Sequence, residues 1–166
     1  MLHSYMVAVE KAGGRVLYCD TDSLIFASHH DLPGECYHPS EFGKLKDELP
    51  GETVVGFVGV GAKTYALKLA SGNPYARCKG VSYATNNEAV SYAEFRRLVL
   101  EPESEVKAHK GTMQRTKEHE VYWVDGTSTI ANRYDKRARG ETTTVCEGGV
   151  EYSKIPTLAH CGRAYL

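Results

Sequence analysis

The residues from Arg15 to Phe26, RVLYCDTDSLIF, place the strongest constraint on what this chain can fold into. Both ends of the stretch are rich in β-branched, aliphatic and aromatic residues, as short buried strands are. Asp20 and Asp22 stand between those ends, separated by Thr21 alone. In extended backbone, residues two positions apart point to the same side. The stretch therefore predicts two strands joined by an acidic turn that presents two carboxylates together.

The acidic turn has two interpretations. Two neighbouring carboxylates repel each other unless a cation lies between them or one is protonated, and Mg²⁺ prefers oxygen ligands of this kind. Alternatively, Asp, Thr and Ser are common in hairpin turns because their side chains bond nearby backbone groups, in which case the turn binds nothing. The apolar runs on both sides favour the metal site, since carboxylates at the ends of buried strands destabilise a fold unless they have a partner.

The string YCDTDS, from Tyr18 to Ser23, resembles the third conserved motif of family B DNA polymerases, which forms a β-hairpin in the palm domain. The resemblance implies that Asp22 ligates both catalytic Mg²⁺ ions and that Asp20 supports the site less directly. Tyr18 would lie close to the site, and Thr21 and Ser23 would complete the motif around the aspartates.

Composition narrows the class of protein. No apolar run approaches the ~20 residues of a membrane span, and the N-terminus lacks the pattern of a signal peptide. The five cysteines are an odd number without a C-x-x-C pair, which favours a reducing, intracellular location over secretion. The formal net charge of −1 gives no global sign of nucleic-acid binding. Residues 106–140 contain eight Lys or Arg against four acids, which on charge alone indicates a solvated surface.

The first half of the chain predicts a helix and further strands. Residues 2–12 show helical spacing of apolar side chains and end at Gly13-Gly14. Because no capping signal precedes this helix, the chain is expected to begin within a larger fold. A second hairpin is predicted from residues 53–60 and 63–69, with Lys63, Tyr65 and Leu67 on one face. Residues 75–81 predict one more strand.

The second half predicts a helix over about 92–100, preceded by the capping-box pattern of Ser91 and Glu94. Residues 103–120 fit a strand or a helix, and residues 120–124 predict a strand that ends in a turn at Asp125-Gly126. The predicted fold class is α+β, with a small antiparallel sheet around the acidic hairpin, a helix behind it and a mixed second part. The predicted boundary divides the chain into residues 1–82 and 83–166.

The resemblance extends along most of the chain. The order of G-K-L-x-x-E-L, G-x-K-x-Y-A and K-G-V after the acidic hairpin is similar to organellar, viral and transposon-type family B polymerases. It implies that Lys63 and Tyr65 contact the primer end and that Lys79 and Gly80 contact the duplex backbone. Ala62 departs from the family, where proline is usual. Tyr134 to Arg137, YDKR, resembles the closing thumb segment, in which Lys136 and Arg137 would contact phosphates or lock the subdomain.

The resemblance implies a part of a DNA-directed DNA polymerase, with residues 1–82 as palm and 83–166 as thumb. Two family motifs do not occur in the 166 residues: the D-x-x-S-L-Y-P-like strand with the other catalytic aspartate, and the K-x-x-x-N-x-x-Y-G-like finger helix that holds the triphosphate. The chain alone is therefore expected to be catalytically incomplete.

The implied partners are Mg²⁺, a DNA primer-template, a deoxynucleoside triphosphate and the rest of the polymerase, with its exonuclease, fingers and first palm strand. Priming by a terminal protein and priming by RNA both fit the residues. Two alternatives remain open: a non-catalytic DNA-binding remnant of a viral or mobile-element polymerase, and an unrelated α+β domain whose aspartate turn is structural.

Overall fold

The computed structural model describes residues 2–101 and 103–132, together with three backbone strands, Thr143–Glu147, Val150–Lys154 and Arg163–Tyr165. It confirms the α+β class, with antiparallel strand pairing in small sheets and two α-helices in this part of the chain. The chain divides into two compact units, Met1–Thr53 and Val54–Leu166. The predicted division into residues 1–82 and 83–166 assigns function to the two parts and stays a prediction.

The first unit is built on helix α1 (Leu2–Lys11) and the hairpin of β1 (Arg15–Asp20) and β2 (Ser23–Ala27). The helix ends as the glycine pair predicts: Gly13 has a φ of +77°, and the Gly14 amide donates to the Val9 carbonyl at 2.9 Å. A side chain at Gly14 would come within 2.9 Å of both Val9 and the Ala27 carbonyl. Glycine therefore lets the helix pack closely against the hairpin.

The centre of the second unit is an antiparallel sheet with strand order β10-β3-β4-β5. Its strands are β3 (Val54–Gly61), β4 (Thr64–Leu69), β5 (Pro74–Arg77) and β10 (Arg163–Tyr165), while β8 (Thr143–Glu147) and β9 (Val150–Lys154) pair separately. Strand β5 ends four residues earlier than predicted. Cys78 and Val81 form an isolated antiparallel bridge around a tight turn at Lys79-Gly80, so the chain reverses there.

Helix α2 (Tyr92–Leu100) forms as predicted, and the Ser91 hydroxyl accepts from the Glu94 amide at 3.2 Å. The cap satisfies one of the amides that a helix N-terminus leaves without an intrahelical partner. Phe95 and Leu98 of this helix are fully buried against the sheet. The remaining members of this core come from the strands and loops of the same unit: Val58, Val60, Ala66, Ala76, Val81, Val90, Ala108 and Ile130.

Residues 105–131 form one long hairpin of β6 (Glu105–Arg115) and β7 (Val121–Ala131). This settles 103–120 mainly as strand, and the predicted turn at Asp125-Gly126 is wrong. Gly126 pairs with Lys110 in regular register, and the Asp125 carboxylate accepts from the Trp123 indole at 2.8 Å. The chain reverses instead at residues 116–120, where the Thr116 amide donates to the Glu120 carbonyl.

Candidate functional site

The acidic turn folds as the sequence predicts, as the two-residue tip of a β-hairpin. Asp20 ends β1 and pairs with Ser23, the first residue of β2, so that Thr21 and Asp22 form the turn. The Ser23 hydroxyl donates to the Asp20 carbonyl at 3.0 Å, and the Thr21 hydroxyl donates to the Asp20 carboxylate at 3.2 Å. The two hydroxyls of the motif thus hold the backbone and the side chain of Asp20.

Thr21 has a φ of +50°, in the left-handed region that β-branched residues rarely adopt. Two-residue hairpin loops require this sign of φ at the first central position, which glycine, asparagine or aspartate usually occupies. A threonine there is strained, and strained backbone of this kind clusters at functional sites. Thr21 therefore adopts a backbone conformation that its own β-branched side chain disfavours.

The carboxylates differ in exposure, since Asp22 is exposed and Asp20 is half-buried. Strand alternation applies to Tyr18 and Asp20, which both lie in β1, and Tyr18 is half-buried opposite Ile25. It does not extend to Asp22, because Asp22 lies in the turn and not in a strand. The geometry of the tip, and not the alternation of β1, sets the direction of the Asp22 side chain.

The tip carries two carboxylates, the type of ligand that Mg²⁺ prefers. Among the described residues, no three His, Cys, Asp or Glu side chains lie close enough together to hold a metal ion. Mg²⁺ keeps several waters and is commonly bound by one or two carboxylates together with substrate phosphates. Asp20 and Asp22 are two carboxylates at one hairpin tip, which is the number that such sites commonly contain.

Lys63 lies in a turn and not in a strand, which corrects the predicted alternation. The hairpin of β3 and β4 closes with Gly61 opposite Thr64, and Ala62 and Lys63 form its turn. Lys63 has a φ of +57°, so the extended backbone begins only at Thr64. The lysine is exposed at the end of the hairpin and does not share the strand face of Tyr65 and Leu67.

Tyr65 is positioned by its neighbours on the face of the sheet opposite helix α2. Gly59 and Arg77 are its direct partners on the flanking strands. The ring of Phe57 stacks on that of Tyr65, with 6.2 Å between centroids, and a side chain at Gly59 would lie 3.1 Å from Phe57 Cζ. Gly59 therefore leaves the room that brings the two rings together.

Arg77 is a candidate that the sequence analysis missed. Its guanidinium lies 4.6 Å from the ring centroid of Tyr75, a cation–π distance, and its backbone is paired with Tyr65. The side chains of directly paired residues lie on the same face of an antiparallel sheet. The sequence predicts a strand at residues 75–81, but only the register of β4 with β5 places Arg77 beside Tyr65.

The turn at Lys79-Gly80 lies against the β3–β4 hairpin. The Lys79 amide donates to the Thr64 hydroxyl at 3.5 Å, and Gly80 has a φ of +72°, a conformation that favours glycine. Lys63 directly precedes Thr64 in the chain, and the Lys79 backbone amide is hydrogen-bonded to the Thr64 hydroxyl. Thr64 therefore brings together the backbones of two segments that are 16 residues apart in sequence.

The stretch of sequence that contains these residues carries positive side chains and no acidic ones. Residues 53–87 contain no Asp or Glu and carry four cations, Lys63, Lys68, Arg77 and Lys79. The segment is therefore basic, although the whole chain is close to neutral. A local basic surface is the electrostatic requirement for contact with phosphates.

The predicted site residues fall into two groups. Tyr18, Asp20, Thr21, Asp22 and Ser23 belong to the unit Met1–Thr53, and Lys63, Tyr65, Lys79 and Gly80 belong to the unit Val54–Leu166. Lys136 and Arg137 lie outside the described residues. In the part of the chain that the structure describes, no helix has the length and apolar character needed to cross a membrane. Comparisons with family models, curated proteins and solved structures found no match to this chain.

Proposed function

We propose that the chain is the palm and thumb part of a family B DNA polymerase, in which Asp20 and Asp22 serve as metal ligands and Lys63 and Tyr65 contact the primer end. The observation that carries the proposal is the acidic hairpin. The motif YCDTDS forms a two-residue turn with a strained threonine between its two aspartates. A purely structural turn gains nothing from threonine at a positive φ, whereas a functional turn retains it for the side chains that it presents.

The second support is the surface around Tyr65. It combines an aromatic hydroxyl side chain, cations and an acid-free stretch of 35 residues, the residue types that contact sugar and phosphate. Lysine supplies a charge to a phosphate, and tyrosine supplies a hydrogen bond or a stacking surface. The third support is the order of the motifs, which follows the family from residue 18 to residue 137.

Nucleotidyl transfer requires more than these residues provide. Mg²⁺ held at the hairpin tip would neutralise phosphate charge at the reacting centre. The sequence lacks the motif with the other catalytic aspartate and the motif that binds the triphosphate. In this proposal Asp22 binds Mg²⁺ weakly, since the repulsion between two carboxylates is largely uncompensated. Synthesis then belongs to a longer protein or to a complex that supplies both missing parts.

A second candidate, a DNA-binding protein without catalysis, is favoured by the absence of a third metal-ligating side chain among the described residues. The two candidates differ in whether DNA binding depends on Mg²⁺ through Asp22. Both require Lys63 and its surroundings to contact DNA.

The test measures binding of a fluorescent primer-template duplex by anisotropy, with and without Mg²⁺. For the polymerase proposal, Mg²⁺ strengthens binding by the wild-type chain, Asp22→Asn removes this effect, and the exposed control Asp31→Asn keeps it. Binding that is indifferent to Asp22→Asn and weakened by Lys63→Gln supports the non-catalytic candidate and contradicts the first. A chain that binds no DNA refutes both.

Primer extension separates the complete from the incomplete enzyme. The purified chain with Mg²⁺ and all four deoxynucleoside triphosphates is expected to extend no primer. Robust synthesis by these 166 residues would show that the missing motifs are not required.

A further inference from the structure

Strand β7 has a free outer edge in the part of the chain that the structure describes. Its only strand partner there is β6, and the two strands pair in an unbroken register from Arg115 opposite Val121 to Glu105 opposite Ala131. The hairpin is thus a two-stranded sheet, and the side of β7 away from β6 has no neighbouring strand. A free strand edge is a template for pairing with another chain.

The contact of Asn86 shows which backbone groups point to that edge. The Asn86 side chain bonds both the amide and the carbonyl of His109 from outside the hairpin, at 2.6 and 2.9 Å. His109 and its direct partner Thr127 are therefore a pair that exchanges no backbone bonds, and the backbone groups of both point away from the hairpin. Because this direction alternates along a strand, the residues of β7 with outward backbone groups are Val121, Trp123, Asp125, Thr127, Thr129 and Ala131.

The other edges of the same unit carry protection that β7 lacks. Strand β5 is four residues long and begins with Pro74, and strand β10 is three residues long. The outer edge of β6 is covered by Asn86 at His109 and carries Lys107 two residues before it. Proline, lysine, short strands and covering loops are the usual means by which proteins block edge pairing. Strand β7 has eleven residues, no proline, no break in register and one charged side chain.

A second copy of β7 complements this edge. Antiparallel pairing of two β7 strands about Gly126 aligns all eleven residues. Gly126 then stands at the centre without a side chain, in a pair without mutual backbone bonds, where the two backbones come closest. The outward residues of the two copies lie opposite one another in this register: Val121 opposite Ala131, Trp123 opposite Thr129 and Asp125 opposite Thr127.

The alternative two-fold registers are less favourable. A pair centred on Asp125 would set the carboxylates of the two copies directly opposite each other, and like charges in that position destabilise a sheet. A pair centred on Thr127 would leave Val121 and Tyr122 beyond the end of the partner strand. The single charge of β7 therefore selects the register about Gly126, in which each carboxylate faces an uncharged threonine.

Exposed apolar side chains lie along the same strand. Val121, Tyr122 and Trp123 are 65%, 47% and 59% exposed, and Met113, which pairs with Trp123, is 69% exposed. These residues form an apolar patch at the distal end of the hairpin. In the register about Gly126, the distal end of each β7 lies beside the partner strand, so association removes apolar surface from water.

We propose that the chain forms a two-fold symmetric dimer in which the β7 strands of two copies pair antiparallel about Gly126. The two hairpins then join into one four-stranded sheet. Because Asn86 covers the outer edge of β6 at His109, the sheet ends there and the assembly closes as a dimer. The dimer does not depend on the polymerase function proposed above.

The experiment measures the mass of the chain by analytical ultracentrifugation over a range of protein concentrations. The wild-type chain is expected to pass from monomer to dimer without larger species. Thr127→Glu sets a second carboxylate opposite each Asp125 and is expected to raise the dissociation constant about tenfold. Thr127→Lys sets a cation there and is expected to leave the constant unchanged or to lower it. The control Thr112→Glu makes the same exchange at an exposed position of β6 and is expected to have no effect.

The emission of Trp123 provides a second measurement. Its indole is exposed in the single chain and is partly covered by the second copy in the dimer. The emission maximum of the wild type should therefore move to shorter wavelength as the protein concentration rises, and that of Thr127→Glu should move only at higher concentration. Urea unfolding of each variant shows that it is folded.

A chain that stays monomeric at every concentration overturns the proposal, and so do larger species, which require a second free edge. Equal weakening by Thr127→Glu and Thr127→Lys overturns the register about Gly126 and the self-complementarity that it provides. Equal weakening by Thr127→Glu and Thr112→Glu places the interface outside the β7 edge and overturns the proposal as well. If Thr127→Glu does not fold, the wild type and Thr127→Lys still decide the outcome.

Discussion

The side-chain amide of Asn86 pairs with the main chain of His109 as a strand neighbour would, donating to its carbonyl at 2.9 Å and accepting from its amide at 2.6 Å. In the part of the chain that the structure describes, β6 pairs only with β7, so its outer edge lacks a strand partner at this point. Asn86, which lies in a loop, supplies the hydrogen bonds that a neighbouring strand would supply. Edge backbone groups that are covered in this way neither remain unsatisfied nor pair with another chain.

Asn86→Ala is expected to lower the free energy of unfolding by about 1–3 kcal/mol, because it removes two part-buried hydrogen bonds to the main chain of His109. The measurement is urea unfolding followed by the fluorescence of Trp123, the single tryptophan of the chain. The control Asn87→Ala changes the exposed neighbouring residue and is expected to cost little. Equal losses for both variants would contradict the structural role of Asn86.

Lys63→Gly is expected to stabilise the protein and to weaken DNA binding. A left-handed conformation costs a residue with a side chain about 1–2 kcal/mol, and glycine avoids this cost. Glycine also loses more backbone entropy on folding, which offsets about 0.5–1 kcal/mol of the gain. The net gain expected from urea unfolding is about 0.5–1 kcal/mol, since Lys63 has a φ of +57°. Opposite changes in stability and affinity are typical of strain that is kept for function.

Ala62→Gly provides the matched control for that prediction. Ala62 occupies the other position of the same turn and does not have a positive φ. It should therefore lose stability on substitution, because glycine adds entropy to the unfolded chain and relieves no strain. A Lys63→Gly variant that is as unstable as Ala62→Gly would show that the turn is not strained.

Local signals account for the elements that the sequence predicts correctly. The hairpin of residues 15–27 follows from two apolar runs and a polar pair, and helix α2 follows from Ser91 and its apolar stripe. The turn predicted at Asp125-Gly126 fails because residues 125 and 126 pair in regular register with β6, and the Asp125 carboxylate is hydrogen-bonded to the His109 ring across the hairpin. Propensity there is overridden by side-chain partners that the segment does not contain.

The candidate site is predictable only in part for the same reason. Asp20, Asp22, Lys63 and Tyr65 stand in short motifs, so the sequence alone indicates them. Arg77 becomes a candidate only through its pairing with Tyr65 on the neighbouring strand. Contacts of this kind depend on the register of the strands, which cannot be read from the residues themselves.

Cys78 is expected to react slowly with iodoacetamide at neutral pH. Burial raises the pKa of its thiol, and a hydrogen bond with the Thr64 side chain partly opposes the shift. Thr64→Val should therefore raise the pKa further and slow alkylation, while Thr112→Val, an exposed control on β6, leaves the rate unchanged. Peptide mapping by mass spectrometry as a function of pH measures the modification of each cysteine.

The same shift predicts a dependence of stability on pH. Because the folded thiol has the higher pKa, the stabilising contribution of neutral Cys78 is complete below the pKa of the unfolded thiol. It is lost as the pH rises through the folded value. Cys78→Ala should therefore reduce the alkaline loss of stability, whatever its effect at neutral pH. An identical alkaline decline in Cys78→Ala would mean that another group causes it.

Gly111→Ala is expected to displace the indole of Trp123. A Cβ atom at Gly111 would lie 1.8 Å from Trp123 Cζ2, so the ring has to move, and its hydrogen bond to Asp125 breaks. Trp123 is 59% exposed in place, and the displaced ring gains further contact with water. Its emission maximum should therefore shift to longer wavelength, with a loss of stability below about 1.5 kcal/mol, since an exposed ring can adopt another rotamer.

The control for that displacement is Gly126→Ala in the facing strand. The nearest atom to a Cβ at Gly126 is the Lys110 carbonyl oxygen at 3.7 Å, an ordinary contact, so this variant should leave the emission unchanged. Because the chain has one tryptophan, any spectral difference between the two variants reports on Trp123 alone. Identical spectra would show that the indole does not lie over Gly111, and the pairing of Trp123 with Asp125 would then have to be given up as well.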